Sequence, residues 1–223
     1  MAAASIPRTK VRRHPERGSY DRDVIDAILD EALFCHVGFA QEGHPYVIPM
    51  IHARAGDILY LHGSTSSRLL QVLGAGANVC VTVTLLDGVV LARSVFNHSM
   101  NYRSVVVLGR ARPLTDPDHK LAALKAIVEH LIPGRWRDAR APNDKELAAT
   151  MILALPLHEA SAKIRSGSPK DAQADISTPL WAGVIPIQLI PGEPVIDDEV
   201  PPGVAVPDYV ANYRRGMRRS ITR

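Results

Sequence analysis

The sequence predicts a mainly β domain of the α+β class, on three observations: six short segments with two-residue alternation or β-branched runs, turn signals between them, and helical periodicity before, among and after them. In residues 21–33, Val24, Ile25, Ile28, Leu29 and Ala32 recur at helical spacing behind acidic Asp21 and Asp23, the pattern of an amphipathic helix. Residues 34–40 and 45–53 read as strands joined by Gln41-Glu42-Gly43-His44, which has hairpin turn chemistry. A third strand, 57–62, follows the tight connection Ala55-Gly56.

The period changes in residues 64–73. Serines crowd the start, Leu69, Leu70, Val72 and Leu73 share one helical face, and Gly74 and Gly76 end a short helix. Residues 78–85 alternate, with Val79, Val81, Val83 and Leu85 on one face and Cys80, Thr82 and Thr84 on the other. Residues 89–94 and 103–112 complete six strands, and Asp87-Gly88 reads as a hairpin turn. Thr115-Asp116-Pro117-Asp118 opens a longer helix carrying Leu121, Leu124, Ile127, Val128 and Leu131, which Pro133-Gly134 stops. Further on, 143–150 suits a short helix, 151–165 contains a strand, 182–190 is a last strand interrupted at Pro186, and 191–207 is extended. The expected division is a basic N-terminal tail (1–18), one domain (19–190) and an extended C-terminal tail (191–223).

Charge argues against a nucleic-acid face. The chain carries +3 overall, but residues 1–18 hold +4 and residues 211–223 hold +5, which leaves 19–210 at −6. No stretch approaches the roughly 20 apolar residues that cross a bilayer, and residues 1–10 lack a secretory apolar core, so no membrane partner and a cytoplasmic location are expected. Cys35 and Cys80 lie far apart in apolar segments, without metal-type spacing, and read as free buried thiols. The nine histidines show no ligand pattern and read as structural or solvent-facing, so no metal site is expected. No nucleophile elbow or dinucleotide fingerprint occurs.

Two segments carry candidate chemistry. At Leu61-His62-Gly63-Ser64-Thr65-Ser66-Ser67-Arg68 a strand passes into a helix, where hydroxyls, a guanidinium and a helix start suit a phosphate. An ordinary serine cap with a solvated arginine would read the same way. At His98-Ser99-Met100-Asn101-Tyr102-Arg103 a polar cluster precedes an apolar strand. It suits either a ligand's polar chain or a plain polar loop, with Tyr102 packing and Arg103 paired to a carboxylate.

The ordered set of these elements, with Gly43-His44-Pro45-Tyr46-Val47-Ile48-Pro49, Tyr60-Leu61-His62-Gly63-Ser64 and Met100-Asn101-Tyr102-Arg103-Ser104-Val105-Val106-Val107-Leu108-Gly109, resembles the pyridoxamine 5′-phosphate oxidase-related flavin-nucleotide-binding proteins, a group that includes nitroimidazole-resistance reductases. The resemblance spans roughly residues 14–190. It implies a six-stranded antiparallel split β-barrel with Greek-key topology and flanking helices, acting as a homodimer with FMN between subunits. The ring would lie along Val47, Ile48, Pro49 and Met50, and the phosphate at His62, Gly63, Ser64, Ser67 and Arg68, with Arg103 and Tyr102 as further contacts. Trp181 would cover the ring from the partner, and Lys163 or Arg165 would meet an acidic ligand, packing and surface roles being equally open. The implied activity is a flavin-dependent oxidoreduction of a small molecule with a nicotinamide nucleotide among the candidate donors. A non-catalytic flavin carrier, store or sensor, a deazaflavin protein and a haem-handling relative are the alternatives. The C-terminal substrate motif of true pyridoxamine phosphate oxidases is absent from the sequence, so vitamin B6 oxidation is not expected.

Overall fold

The computed structural model describes residues 8–214. In chain order its elements are β1 (Gly18–Ser19), α1 (Arg22–Glu31), β2 (Phe34–Gln41), β3 (His44–Ala55), β4 (Ile58–Ser64), α2 (Arg68–Gly74), β5 (Asn78–Leu91), β6 (Ser99–Arg110), β7 (Arg112–Pro113), α3 (Pro117–Leu131), α4 (Arg135–Asp138), α5 (Asp144–Ala149), β8 (Thr150–Pro156), β9 (Ala160–Arg165), α6 (Gln173–Ile176), β10 (Gly183–Pro186) and α7 (Asp208–Ala211). The strands lie side by side in the order β1-β9-β6-β5-β2-β3-β4-β8-β7, with β10 added to β5, and every pairing is antiparallel. The sheet curls without closing, which is the split barrel expected. After α2 the chain returns to place β5 beside β2 instead of β4, a Greek-key crossing.

Alternation decides what faces inward. Cys35, Val37 and Phe39 of β2, Leu59 and Leu61 of β4, Val79, Val81 and Val83 of β5, Val105 and Val107 of β6, and Leu153 and Leu155 of β8 form one core. Ile25, Ile28 and Leu29 of α1 and Leu69, Leu70 and Leu73 of α2 join it. Each Leu- or Val-sized side chain removed from water there stabilises the fold by roughly 1.5–3 kcal/mol. The helix starts are capped as their sequences suggest: Asp21 accepts from the Asp23 N–H at 2.9 Å, Asp116 from the His119 N–H at 2.8 Å, and Asn143 with Glu146 forms a capping box. At the other end of α1, His52 Nε2 donates to the Leu29 carbonyl at 3.0 Å and His130 Nε2 to that of Ala32 at 2.8 Å. The two rings, 5.1 Å apart, hold the helix terminus onto β3 and α3.

The strand count differs from expectation in two places. Asp87-Gly88 is not a hairpin turn, because β5 runs through it to Leu91 with a register shift between Leu86 and Gly88. Glycine is needed there for close approach: a Cβ on Gly88 would lie 2.9 Å from the Ile185 carbonyl oxygen on β10. The 151–165 segment yields two strands, β8 and β9, instead of one. Cys35 points inward, where burial pushes its thiol up to about 12, while Cys80 pairs with Gly38 on the outward register, and both are free thiols. No helix among the described residues is long and apolar enough to cross a membrane.

The chain ends are tied to this frame. Before β1, Arg8 pairs with Glu159 at 2.6 Å and the Val11 N–H donates to the Tyr20 hydroxyl at 2.8 Å. Beyond β10, residues 187–207 carry no helix or strand and turn at 198–199 and 202–203, so the extended tail expected there is interrupted, and the Tyr213 hydroxyl donates to the Leu131 carbonyl at 2.8 Å. Arg215, Arg218, Arg219 and Arg223, four of the five basic residues of the expected C-terminal basic tail, lie outside the described residues.

If Gly88 serves the β10 approach, Gly88→Ala destabilises the protein by about 1–3 kcal/mol, the usual cost of overpacking, with β10 as the first element to lose amide-exchange protection. Denaturant unfolding with hydrogen exchange measures both; unchanged stability would mean that β10 simply moves aside.

Candidate cofactor-binding site

β3 divides its pairing. Its first part, His44 to Ile51, pairs with β2, and only His52 to Ala55 pairs with β4. Residues 44–51 therefore keep one backbone edge without a strand partner among the described residues, and edge N–H and C=O groups need hydrogen-bond partners. Pro49 has no N–H, so the edge at that point can only accept.

Side chains on this stretch alternate. Ile48 and Met50 turn in against the core, while Val47 and Ile51 are 66 % and 37 % exposed. The outward register aligns Phe34 with Ile51, His36 with Pro49, and Gly38 with Val47. The result is an apolar strip with a hollow at Gly38 and a single imidazole, His36, whose ring packs edge-on to Phe34 at 5.5 Å. Phe34, His36 and Gly38 were not singled out from the sequence, although their alternation with Cys35 and Val37 was there to be read.

At one end of this edge stands the turn from β4 to α2. Ser64 and Ser66 share a hydroxyl hydrogen bond of 2.8 Å, and the Thr65 and Ser67 N–H groups donate to the Ala149 and Ser64 carbonyls, each at 2.9 Å. Ser67 occupies the N-cap position, yet its hydroxyl caps nothing. The plain serine-cap reading is thus not what this turn does. The N–H groups of Thr65, Ser66 and Ser67 are satisfied within the protein, while the start of α2 is left without a side-chain cap. The guanidinium of Arg68 lies 4.2 Å over the ring of Tyr46, which itself stacks on Phe39 at 5.3 Å. Tyr46 immediately precedes Val47, so this cation, with no ion pair among the described residues, adjoins the open edge. Gly63 is close-packed, since a Cβ there would meet Leu70 Cδ1 at 3.0 Å.

His62, on the strand leading into the turn, is half-buried, and its Nδ1 is buried without a hydrogen-bond partner. Burial lowers its pKa below the ordinary 6.5, so the ring is neutral at pH 7 and offers a neutral donor or acceptor.

The remaining expected residues lie elsewhere. Arg103 is buried and wholly engaged: Nη2 donates to Glu31 at 2.7 Å and to Asp87 at 2.7 Å, Nε donates to Asp87 at 2.9 Å, and Nη1 donates to the other oxygen of Glu31. Glu31 first and Asp87 second raise its pKa further. By register the Arg103–Leu85 row lies beyond Phe34, whereas Tyr46 pairs with Phe39, so within one chain Arg103 and Arg68 sit at opposite ends of β2, roughly 20 Å apart at the strand rise. Tyr102 is half-buried opposite Leu86 and Arg165. Trp181 is 68 % exposed, and its indole lies over Gly183, where a Cβ would come within 2.8 Å. Lys163 lies opposite Ser104 and Gly18, and Arg165 is buried against Asn101. Within one chain, the β4–α2 segment that carries His62, Gly63, Ser64, Ser67 and Arg68 is joined to β3 through the Arg68–Tyr46 contact, whereas Arg103 and Tyr102 lie towards the far end of β2.

Chains of known proteins bear on this arrangement. The family described as pyridoxamine 5′-phosphate oxidase matches residues 21–164. The flavocytochrome Anf3 from Azotobacter vinelandii is 41% identical, covering 94% of this chain and 97% of its own, with a TM-score of 0.89. The FAD and haem binding protein from Mycobacterium smegmatis is 40% identical over 87% of this chain and 95% of its own, with a TM-score of 0.84. A protein assigned to 5-nitroimidazole antibiotic resistance in Bacteroides thetaiotaomicron is 28% identical over 66% of this chain and 86% of its own, at 0.56. No curated protein matches.

A neutral His62 has a consequence for stability. The unfolded chain protonates this residue near 6.5 and the folded chain only lower, so stability is full above 6.5 and falls as pH drops from there towards the folded value. Unfolding free energies measured from pH 7.5 to 5 should show that loss in the wild type and a shallower one in His62→Gln; identical slopes would place the ring in water.

Proposed function

Since the chain belongs to the pyridoxamine 5′-phosphate oxidase family, we propose that it is a flavin-dependent redox protein whose cofactor phosphate is held by Arg68 and whose ring lies along residues 47–50 of β3. The observation that carries this reading is the contact of Arg68 with Tyr46, which joins an unpaired cation to an unpaired backbone edge. When bound, a flavin supplies electron transfer between a donor and a small-molecule acceptor.

The chain's own part is binding and orientation. Arg68 offers a planar fork to phosphate oxygens, Ser64 and Ser67 add hydroxyl donors, and His62 adds a neutral ring nitrogen that lacks a partner. The free edge of Val47, Ile48, Pro49 and Met50 offers main-chain groups to the heteroatoms of a ring, while Val47 and Pro49 add apolar contact from the outward face. Packing of Ile48 and Met50 into the core fixes that edge in place. FMN satisfies this description, and FAD shares the same phosphate and ring; the Mycobacterium smegmatis relative, named for FAD, favours FAD. A second copy of the chain would cover the exposed strip of Phe34, Val47 and Ile51, completing the site as a homodimer. A reduced nicotinamide nucleotide is the proposed donor, and a cytoplasmic setting is consistent with the free thiols.

Haem is a second proposed cofactor. Both relatives near 40% identity carry names that include a cytochrome or haem, and the outward strip presents His36, an exposed imidazole between Phe34 and Pro49, as the ligand type that a haem needs.

The purified protein should be yellow, with a Soret band as well if haem is present, and mass spectrometry of the released cofactor distinguishes FMN, FAD and a deazaflavin. Arg68→Ala should weaken flavin binding by about tenfold or more, from a charge-assisted bond typically worth roughly 1.5–3 kcal/mol. A colourless protein that does not take up flavin, or an unchanged dissociation constant in Arg68→Ala, would contradict the reading. Anaerobic addition of NADH or NADPH tests turnover: bleaching supports a reductase, and persistent colour supports a carrier or another donor.

A further inference from the structure

Two arginines in this protein are buried to the same degree, 7 % exposed each, and they are treated in opposite ways. Arg103 has two carboxylates. Arg165, at the end of β9, has none: among the described residues its side chain makes one hydrogen bond, from Nη1 to the neutral Oδ1 of Asn101, and no ion pair. Asn101 is itself 8 % exposed and is oriented by donating from Nδ2 to the Gly167 carbonyl at 3.1 Å, so its acceptor is committed to Arg165. A guanidinium carries five N–H donors, and those left here have no side-chain or main-chain acceptor among the described residues.

A second cation is brought against the first. β1 pairs with β9 by aligning Gly18 with Lys163, which places Arg17 beside the end of β9. The Arg17 side chain is 21% exposed, and its one carboxylate among the described residues, Glu16, stands 3.8 Å away and is itself exposed. Burial first and repulsion from Arg17 second lower the pKa of Arg165, against a smaller opposing effect of Tyr102. A buried charge without a counter-charge is strongly unfavourable, and buried charges are ordinarily paired.

We propose that the end of β9 is a binding site for a phosphate dianion, held between the buried Arg165 and the rim residue Arg17. Arg165 offers its fork from below with Asn101 fixing its plane, and Arg17 closes from the edge carried by β1. Two guanidinium groups match a doubly charged phosphate better than a single carboxylate. The site lies on β1, β6 and β9, so it is separate from Arg68 and does not depend on the flavin assignment.

The test uses the full-length protein with its cofactors and inorganic phosphate as probe, against sodium chloride at equal ionic strength. Titration calorimetry should show saturable binding of one phosphate per chain, and phosphate should raise the melting temperature. Arg17→Gln, a rim change, should weaken binding at least tenfold. Arg165→Met should abolish binding and, in phosphate-free buffer, melt no lower than the wild type, because it removes a charge that lacks a counter-charge; a purely structural arginine would melt lower when replaced. Should Arg165→Met fail to fold, Arg17→Gln and Arg165→Lys, each expected to bind more weakly, carry the test. Absence of saturable binding, or binding untouched by these substitutions, would overturn the proposal. An equal rise with acetate would overturn the choice of phosphate.

Discussion

The divided pairing of β3 is the constraint from which the rest follows. One strand serves two partners in succession, β2 and then β4, so the barrel has to split where it changes over. The change occurs at His52 and Ala53, two adjacent residues that are both fully buried, which breaks the inward-outward alternation kept elsewhere in the strand. His52 is held there by the carbonyl at the end of α1, so the first helix stabilises the bend. The energy at stake is that of a buried hydrogen bond and of the surrounding core, while the product is an unpaired stretch of backbone at residues 44–51.

That exposed edge would be a liability in most sheets, because unpaired strand groups invite association. Here the edge adjoins the β4–α2 turn, whose Arg68 is stacked on Tyr46 with no ion pair among the described residues. The proximity of a cation to a flat, partly apolar edge is what a flavin phosphate and ring require of a protein. Family membership and the two relatives near 40% identity, both named for a flavin, point to the flavin class from an independent direction.

Much of this was legible in the sequence, and the failures have physical reasons. Helices α1 and α3 were readable because their apolar stripes are long and their caps local, and β2, β3 and β4 because alternation and tight turns act over a few residues. Asp87-Gly88 misled because a glycine needed for the approach of β10, almost a hundred residues later, has the same local appearance as a hairpin glycine. Arg103 shows the same limit: pairing with a carboxylate was one of its two readings, but its carboxylates, Glu31 and Asp87, come from α1 and β5, and nothing local to residue 103 identifies them. The grouping of Arg68 with the β3 edge was accessible through resemblance, whereas the stacking on Tyr46 that brings it there is a tertiary contact. Arg165 and Arg17 are separated by most of the chain and meet through β1, a strand of two residues that periodicity cannot reveal.

The claim that the split edge of β3 and Arg68 form one cofactor site is tested most directly by a crystal structure of the protein reconstituted with flavin. The account predicts phosphate oxygens within hydrogen-bond distance of the Arg68 guanidinium and the ring system alongside residues 47–50. A flavin phosphate bound away from Arg68, with the edge of β3 covered by the protein's own chain, would contradict it.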